Sequence, residues 1–172
     1  MEARDVLRER SRPFELALRI RHPSIDPAVI SRELRLDPEH SFRAGEPRES
    51  VSGIAAAAVH GESYWLATLD PDAWAATSAA SFDFPGRARS AQVKERMRAM
   101  VTDSLGLALT LGTTHFLRAH ADFVRRIQSE GGDVGLIVEL PSTTAQSFTL
   151  TPQVAKVLSD LSISVEFEFT ND

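Results

Sequence analysis

The chain has 172 residues and a mass of 18.9 kDa, with 42% apolar residues, 25% charged residues and a net charge of −5. That length suits one domain able to bury a core without cross-links. The absence of cysteine excludes disulfide frameworks, thiolate metal sites, iron–sulfur clusters and cysteine nucleophiles. The 24 acidic residues against 19 basic ones give no global reason to expect a nucleic acid partner.

Residues 1–12 carry four arginines and three acids and read as a charged tail before a single domain over 13–170. They lack the apolar stretch of a signal peptide and the acid-poor character of a mitochondrial presequence. No window approaches the ~18 apolar residues of a membrane-spanning helix, so a cytoplasmic protein with no membrane partner is expected. From Phe14 to Arg21, the apolar residues Phe14, Leu16, Leu18 and Ile20 alternate with Glu15, Ala17, Arg19 and Arg21, the period of a half-buried strand. Pro23 ends it. Asp26-Pro27 then predicts a helix start, with Asp26 as cap, Pro27 at the first turn, and Ile25 and Ile30 as a hydrophobic staple. The helix runs to about Leu36.

His40 to Arg48 reads as a short edge strand entering a Gly-Glu-Pro turn, and Glu49 to Gly61 as a loop or hairpin arm. Ser63 to Leu69 is a second strand. Residues 70–90, rich in Ala, Ser, Asp and Pro, form a loose insertion. From Ala91 the chain turns helical, with Val93, Met97, Met100, Leu105 and Ala108 on one face, and Gly112-Thr113-Thr114 is expected to break it. A further helix over about Thr114–Glu130 carries Leu117, Phe123, Val124 and Ile127 inward and is capped by Gly131-Gly132. Val134, Leu136, Val138 and Leu140 alternate as a strand. Thr151-Pro152 opens a helix with Val154, Val157, Leu158 and Leu161 buried. The last strand alternates Ile163, Val165, Phe167 and Phe169, expected to face the core, with Ser164, Glu166, Glu168 and Thr170. The sum is an α+β two-layer sandwich, a mainly antiparallel sheet of about five strands with helices on one face. A ferredoxin-like core with an added terminal helix and strand is the preferred topology.

These features resemble, in their order, the bacterial domain-of-unknown-function family 4279. The resemblance runs over about residues 14–169. It is carried by Asp26-Pro27 with Ile30, Leu36-Asp37-Pro38 leading to Phe42-Arg43-Ala44-Gly45-Glu46-Pro47, Ser63-Tyr64-Trp65, Leu150-Thr151 and the final alternating strand. Family members commonly have Trp at the position of Phe42 and an Asp-x-Tyr ending where this chain has Glu166-Phe167 and Glu168-Phe169. The resemblance implies the fold and brings no activity with it.

Residue constellations narrow the chemistry. The histidines at 22, 40, 60, 115 and 120 include no pair at helical metal-ligand spacing, since His115 and His120 are five apart. No metal and no cofactor is expected. There is no phosphate-binding glycine loop and no nucleophile elbow. Glu166 and Glu168 share one strand face, about 7 Å apart, and read as a solvated surface. The basic stretch Arg87–Arg98 holds five cations and one acid and reads as a solvated helix start.

The best candidate binding group is Arg43, Glu46 and Arg48 with Glu62, Tyr64 and Trp65. Two guanidinium forks suit a carboxylate or phosphate, an indole can line a pocket, and Gly45 permits close backbone approach. The plainer alternative is that Arg43 and Glu46 fix a turn and Trp65 packs. Leu105–Leu111 is apolar almost all round, which predicts a buried helix or a homodimer contact. The expected function is a non-enzymatic module that binds a small anionic ligand or a protein. The alternatives are a small enzyme using Arg43, Glu46 or Glu62 with His40 or His60, and a toxin-neutralising protein.

Overall fold

The computed structural model describes residues 14–49, 55–70, 104–142 and 148–170. The expected charged tail, the expected insertion beyond Asp70, the basic stretch and the helix expected over residues 91–103 lie outside them.

In chain order the elements are β1 (Glu15–His22), α1 (Pro27–Leu34), β2 (His40–Phe42), β3 (Pro47–Glu49), β4 (Ala55–Val59), β5 (Ser63–Thr68), α2 (Leu105–Leu111), α3 (Ala121–Ser129), β6 (Asp133–Pro141), α4 (Pro152–Asp160) and β7 (Ser164–Thr170). Five strands form one sheet in the order β2-β5-β1-β6-β7, and β3 and β4 pair as a separate hairpin. β1 lies antiparallel between β5 and β6, β2 is antiparallel to β5, and β7 runs parallel to β6. β1 and β2 therefore point the same way with β5 reversed between them. The one parallel pair needs a crossover, which α4 supplies.

Period-two patterning decides the two faces. Leu16, Leu18 and Ile20 of β1, Trp65 and Ala67 of β5, and Val134, Leu136 and Val138 of β6 join the buried residues of the four described helices in one core. The opposite face carries Arg19 and Arg21 of β1, Tyr64 and Leu66 of β5, and Gly135, Ile137 and Glu139 of β6. At the helix starts the local chemistry acts as expected. Asp26 Oδ1 accepts the Ala28 N–H at 2.9 Å, and Thr151 Oγ1 accepts the Val154 N–H at 3.3 Å. α3 ends where Gly131 takes φ +86° and Gly132 N–H returns to Ile127 O at 2.8 Å.

Two expectations are corrected. Gly112-Thr113-Thr114 does not break the helix. α2 widens into a π-helical turn over Gly112–Leu117. The threonine hydroxyls make this possible: Thr113 Oγ1 donates to Leu109 O at 2.8 Å and Thr114 Oγ1 to Thr110 O at 2.6 Å. They serve carbonyls that the wider register displaces. The turn closes at His120, which leaves helical geometry at φ −109°, ψ 17° before α3. The second correction concerns the last strand. Phe167 and Phe169 do lie on the helix side of β7, beside Val138 and Leu140. Among the described residues the helices cover the start of that strand, where half-buried Val165 packs on the core. Phe167 is left 37% exposed and Phe169 69% exposed.

Leu105, Ala108 and Leu109 of α2 are buried, and Leu107 and Leu111 pack against the same core, so this apolar helix is used within its own chain. Among the described residues no helix is long and apolar enough to cross a membrane.

Candidate functional site

The β2–β5 corner holds most of the residues singled out by sequence. The Phe42–Glu46 reversal is fixed from inside. Glu46 Oε2 accepts the Arg43 N–H at 2.9 Å, buried Ser63 Oγ accepts the Ala44 N–H at 3.0 Å, and Gly45 takes φ +85°. Backbone bonds Gly45 N–H to His60 O and His60 N–H to Glu46 O, at 2.8 and 2.9 Å, tie this reversal to the end of β4. Glu46 is thereby a turn-former.

Strand alternation then divides the group. Phe42 and Tyr64 are cross-strand partners on the face turned away from the helices, the open face, with ring centroids 5.2 Å apart, and the His60 ring lies 3.7 Å from that of Phe42. Glu62 sits on this face, 4.0 Å from Arg21 Nε. Arg43, one residue on from Phe42, turns to the helix side, where its Nη1 lies 3.4 Å from Asp26 Oδ2. Trp65 also faces the helices. It is fully buried and donates its indole N–H to Ser31 Oγ at 3.0 Å. Arg48 is exposed on β3. Tyr64 and Glu62 thus gather on one side of the sheet, Arg43 and Trp65 on the other, and the six do not converge on one concavity. His60 is stacked flat on Phe42, and among the described residues neither its imidazole nor that of His40 pairs with the carboxylate of Glu46 or Glu62.

The remaining histidines have local roles. His22 is buried and its Nδ1 accepts the N–H groups of Ser24 and Ile25 at 3.1 and 2.9 Å, while Nε2 faces Glu130 Oε2 at 3.3 Å. Burial first, then the charge of Arg35, holds the His120 imidazole below its ordinary value, with Glu33 acting the other way. Among the described residues no group of histidines and carboxylates could hold a metal ion.

A second surface, missed by sequence, lies at the far end of the sheet. β7 is its outermost strand and nearly every residue in it is exposed. On the helix side, Phe148 stacks on Phe167 with centroids 5.1 Å apart, and Phe169 and Leu150 are exposed with them. On the open side lie Ser164, Glu166, Glu168 and Thr170. Register sets Glu139 between Glu15 and Glu168, three carboxylates in a row across β1, β6 and β7. Burial, then Glu15, Glu168 and Glu39 in turn, raises the Glu139 carboxyl above its usual range. The Phe-Glu alternation was the available signal. What it could not reveal is that the helix layer stops before Phe167.

Comparison with protein-family models, curated proteins and solved structures gives no match to this chain.

Proposed function

We propose that this protein is a non-enzymatic interaction module that binds an extended segment of a partner protein along β7, on a ferredoxin-like core of β1, α1, β2, β5, the α2–α3 layer and β6. One observation carries the reading. Among the described residues the sheet ends in the seven-residue strand β7, with no neighbour on its outer side and exposed phenylalanines on its helix-side face. An unpaired strand edge offers a row of backbone donors and acceptors that an added strand satisfies. Burial of Phe167 and Phe169 supplies the apolar gain, up to about 1.5–3 kcal/mol for a side chain that becomes fully covered. A homodimer through Leu105–Leu111 is not part of this reading, because those side chains already fill the core. The β2–β5 corner contributes rigidity, since its aromatic rings and acids are engaged with one another.

The test is fluorescence anisotropy with a labelled seven-residue peptide alternating valine and threonine. The full chain binds it, and Phe169→Ala weakens binding about tenfold or more. Phe169 is mostly exposed, so that substitution leaves the fold intact. No binding by the wild type, or equal affinity in the variant, contradicts the proposal.

A further inference from the structure

We infer that the segment taken up by β7 is amphipathic in a charged sense, with apolar residues on one side and lysine or arginine on the other. This rests on the reading of β7 as a binding edge and adds the chemistry of its partner. In an added strand, alternate side chains continue the two faces of the sheet. Those on the helix side meet Phe148, Phe167 and Phe169. Those on the open side come beside Glu168, with Glu139 and Glu15 behind it in the same row. Of the two β7 acids on this face, Glu166 has its cation within the chain, since Arg19 Nη1 lies 2.6 Å from its Oε2. Glu168, Glu139 and Glu15 stand in register as a row of like charges across three strands. Cations brought alongside relieve that repulsion, and the long stems of lysine and arginine reach past β7 toward Glu139. Opposite charges facing each other across strands are favourable, and like charges are not.

The same rule argues against a second copy of this chain as occupant. Two β7 strands paired about a two-fold axis would put Glu166 and Glu168 of one copy against the same acids of the other.

The experiment compares four labelled seven-residue peptides, valine alternating with lysine, threonine or glutamate, and lysine alternating with glycine, at 50 and 300 mM salt. The expected order of affinity is Val-Lys, Val-Thr, Val-Glu, with the first about tenfold tighter than the second at low salt and that gap narrowing at high salt. Glu168→Gln narrows it too. Equal affinity for Val-Lys and Val-Thr overturns the charge inference and leaves the edge reading standing. Binding of Lys-Gly as tight as Val-Lys overturns it as well, because charge alone would then suffice. Failure of all four peptides removes the edge reading and this inference together. A peptide-free dimer by light scattering, dissociated by Phe169→Ala, would identify a second copy as the occupant and overturn the proposed partner.

Discussion

The guanidinium of Arg19 on β1 crosses over Gly135 on β6 to reach Glu166 on β7, Nη1 to Oε2 at 2.6 Å. The register sets Arg19 beside Gly135 and Gly135 beside Ser164, with Glu166 one step further along β7. The crossing works because Gly135 has no side chain. A Cβ there would stand 2.9 Å from Ser164 Oγ and 3.4 Å from Arg19 Nη2. The Arg19 side chain is only 14% exposed and its buried Nε has no partner, so its position depends on the carboxylate beyond. The pair fastens the outermost strand of the described sheet to its centre.

Gly135→Ala is therefore expected to lower stability by about 1–2 kcal/mol through crowding. Ser164→Ala in the same chain should restore part of that loss, because it removes the nearest atom. Glu166→Gln should cost about 1 kcal/mol, a charge-assisted bond discounted for the half-exposed carboxylate. Urea denaturation midpoints check all three, and a Gly135→Ala protein as stable as wild type would show that the crossing tolerates a methyl group.

The acidic row predicts a pH-dependent gain. The Glu139 carboxyl is raised in the folded chain, so the folded state binds that proton more tightly than the unfolded chain does. Its contribution to stability is fully present below the ordinary carboxylate value and is lost as pH rises through the raised one. Glu139→Gln should stabilise the protein at neutral pH, and the difference from wild type should vanish below about pH 4. Thermal melts across that range measure it, and a variant no more stable than wild type at pH 7 would refute the account that burial and then the neighbouring carboxylates penalise the charged form.

His22 organises the turn between β1 and α1 through two backbone N–H groups on its Nδ1. His22→Ala leaves both unpaired in a part-buried place and should cost about 2 kcal/mol or more. His22→Asn, whose side-chain oxygen can accept the same groups, should lose less. Equal losses in the two variants would mean that ring packing, not the hydrogen bonds, is what matters.

Ser31→Ala removes the acceptor of the buried Trp65 indole N–H. It should destabilise by about 1–3 kcal/mol, the cost of a buried unpaired donor. Trp65→Phe, which removes donor and bulk together, leaves Ser31 unpaired and a cavity. Combined with Ser31→Ala it should show non-additive loss in a double-mutant cycle.

Much of the architecture was legible in the sequence because its signals are local. Asp26-Pro27 and Thr151-Pro152 mark helix starts by chemistry confined to one turn, and the alternation in β1, β6 and β7 assigns faces without knowledge of neighbours. The π-helical turn at Gly112 was not legible, since glycine and threonine read as a helix break until the threonine hydroxyls are seen to serve the displaced carbonyls. The candidate group at 43–65 assembled only in part. Tyr64 and Trp65 are adjacent in sequence and therefore on opposite faces of the sheet, a consequence of strand geometry that a shared motif obscured. Phe167 and Phe169 looked like core because apolar alternation gives the side of the sheet, not the extent of the layer covering it. That extent is a tertiary property, and it turns an ordinary last strand into the candidate site.

Residue-resolved amide exchange of the full chain, with and without the Val-Lys peptide, tests the central claim most directly. Binding by strand addition should slow exchange at alternate amides of β7 between Ser164 and Thr170, with little change along β2 and β5. A bound peptide that leaves β7 exchange unaltered, or that protects residues 40–64 instead, would contradict it.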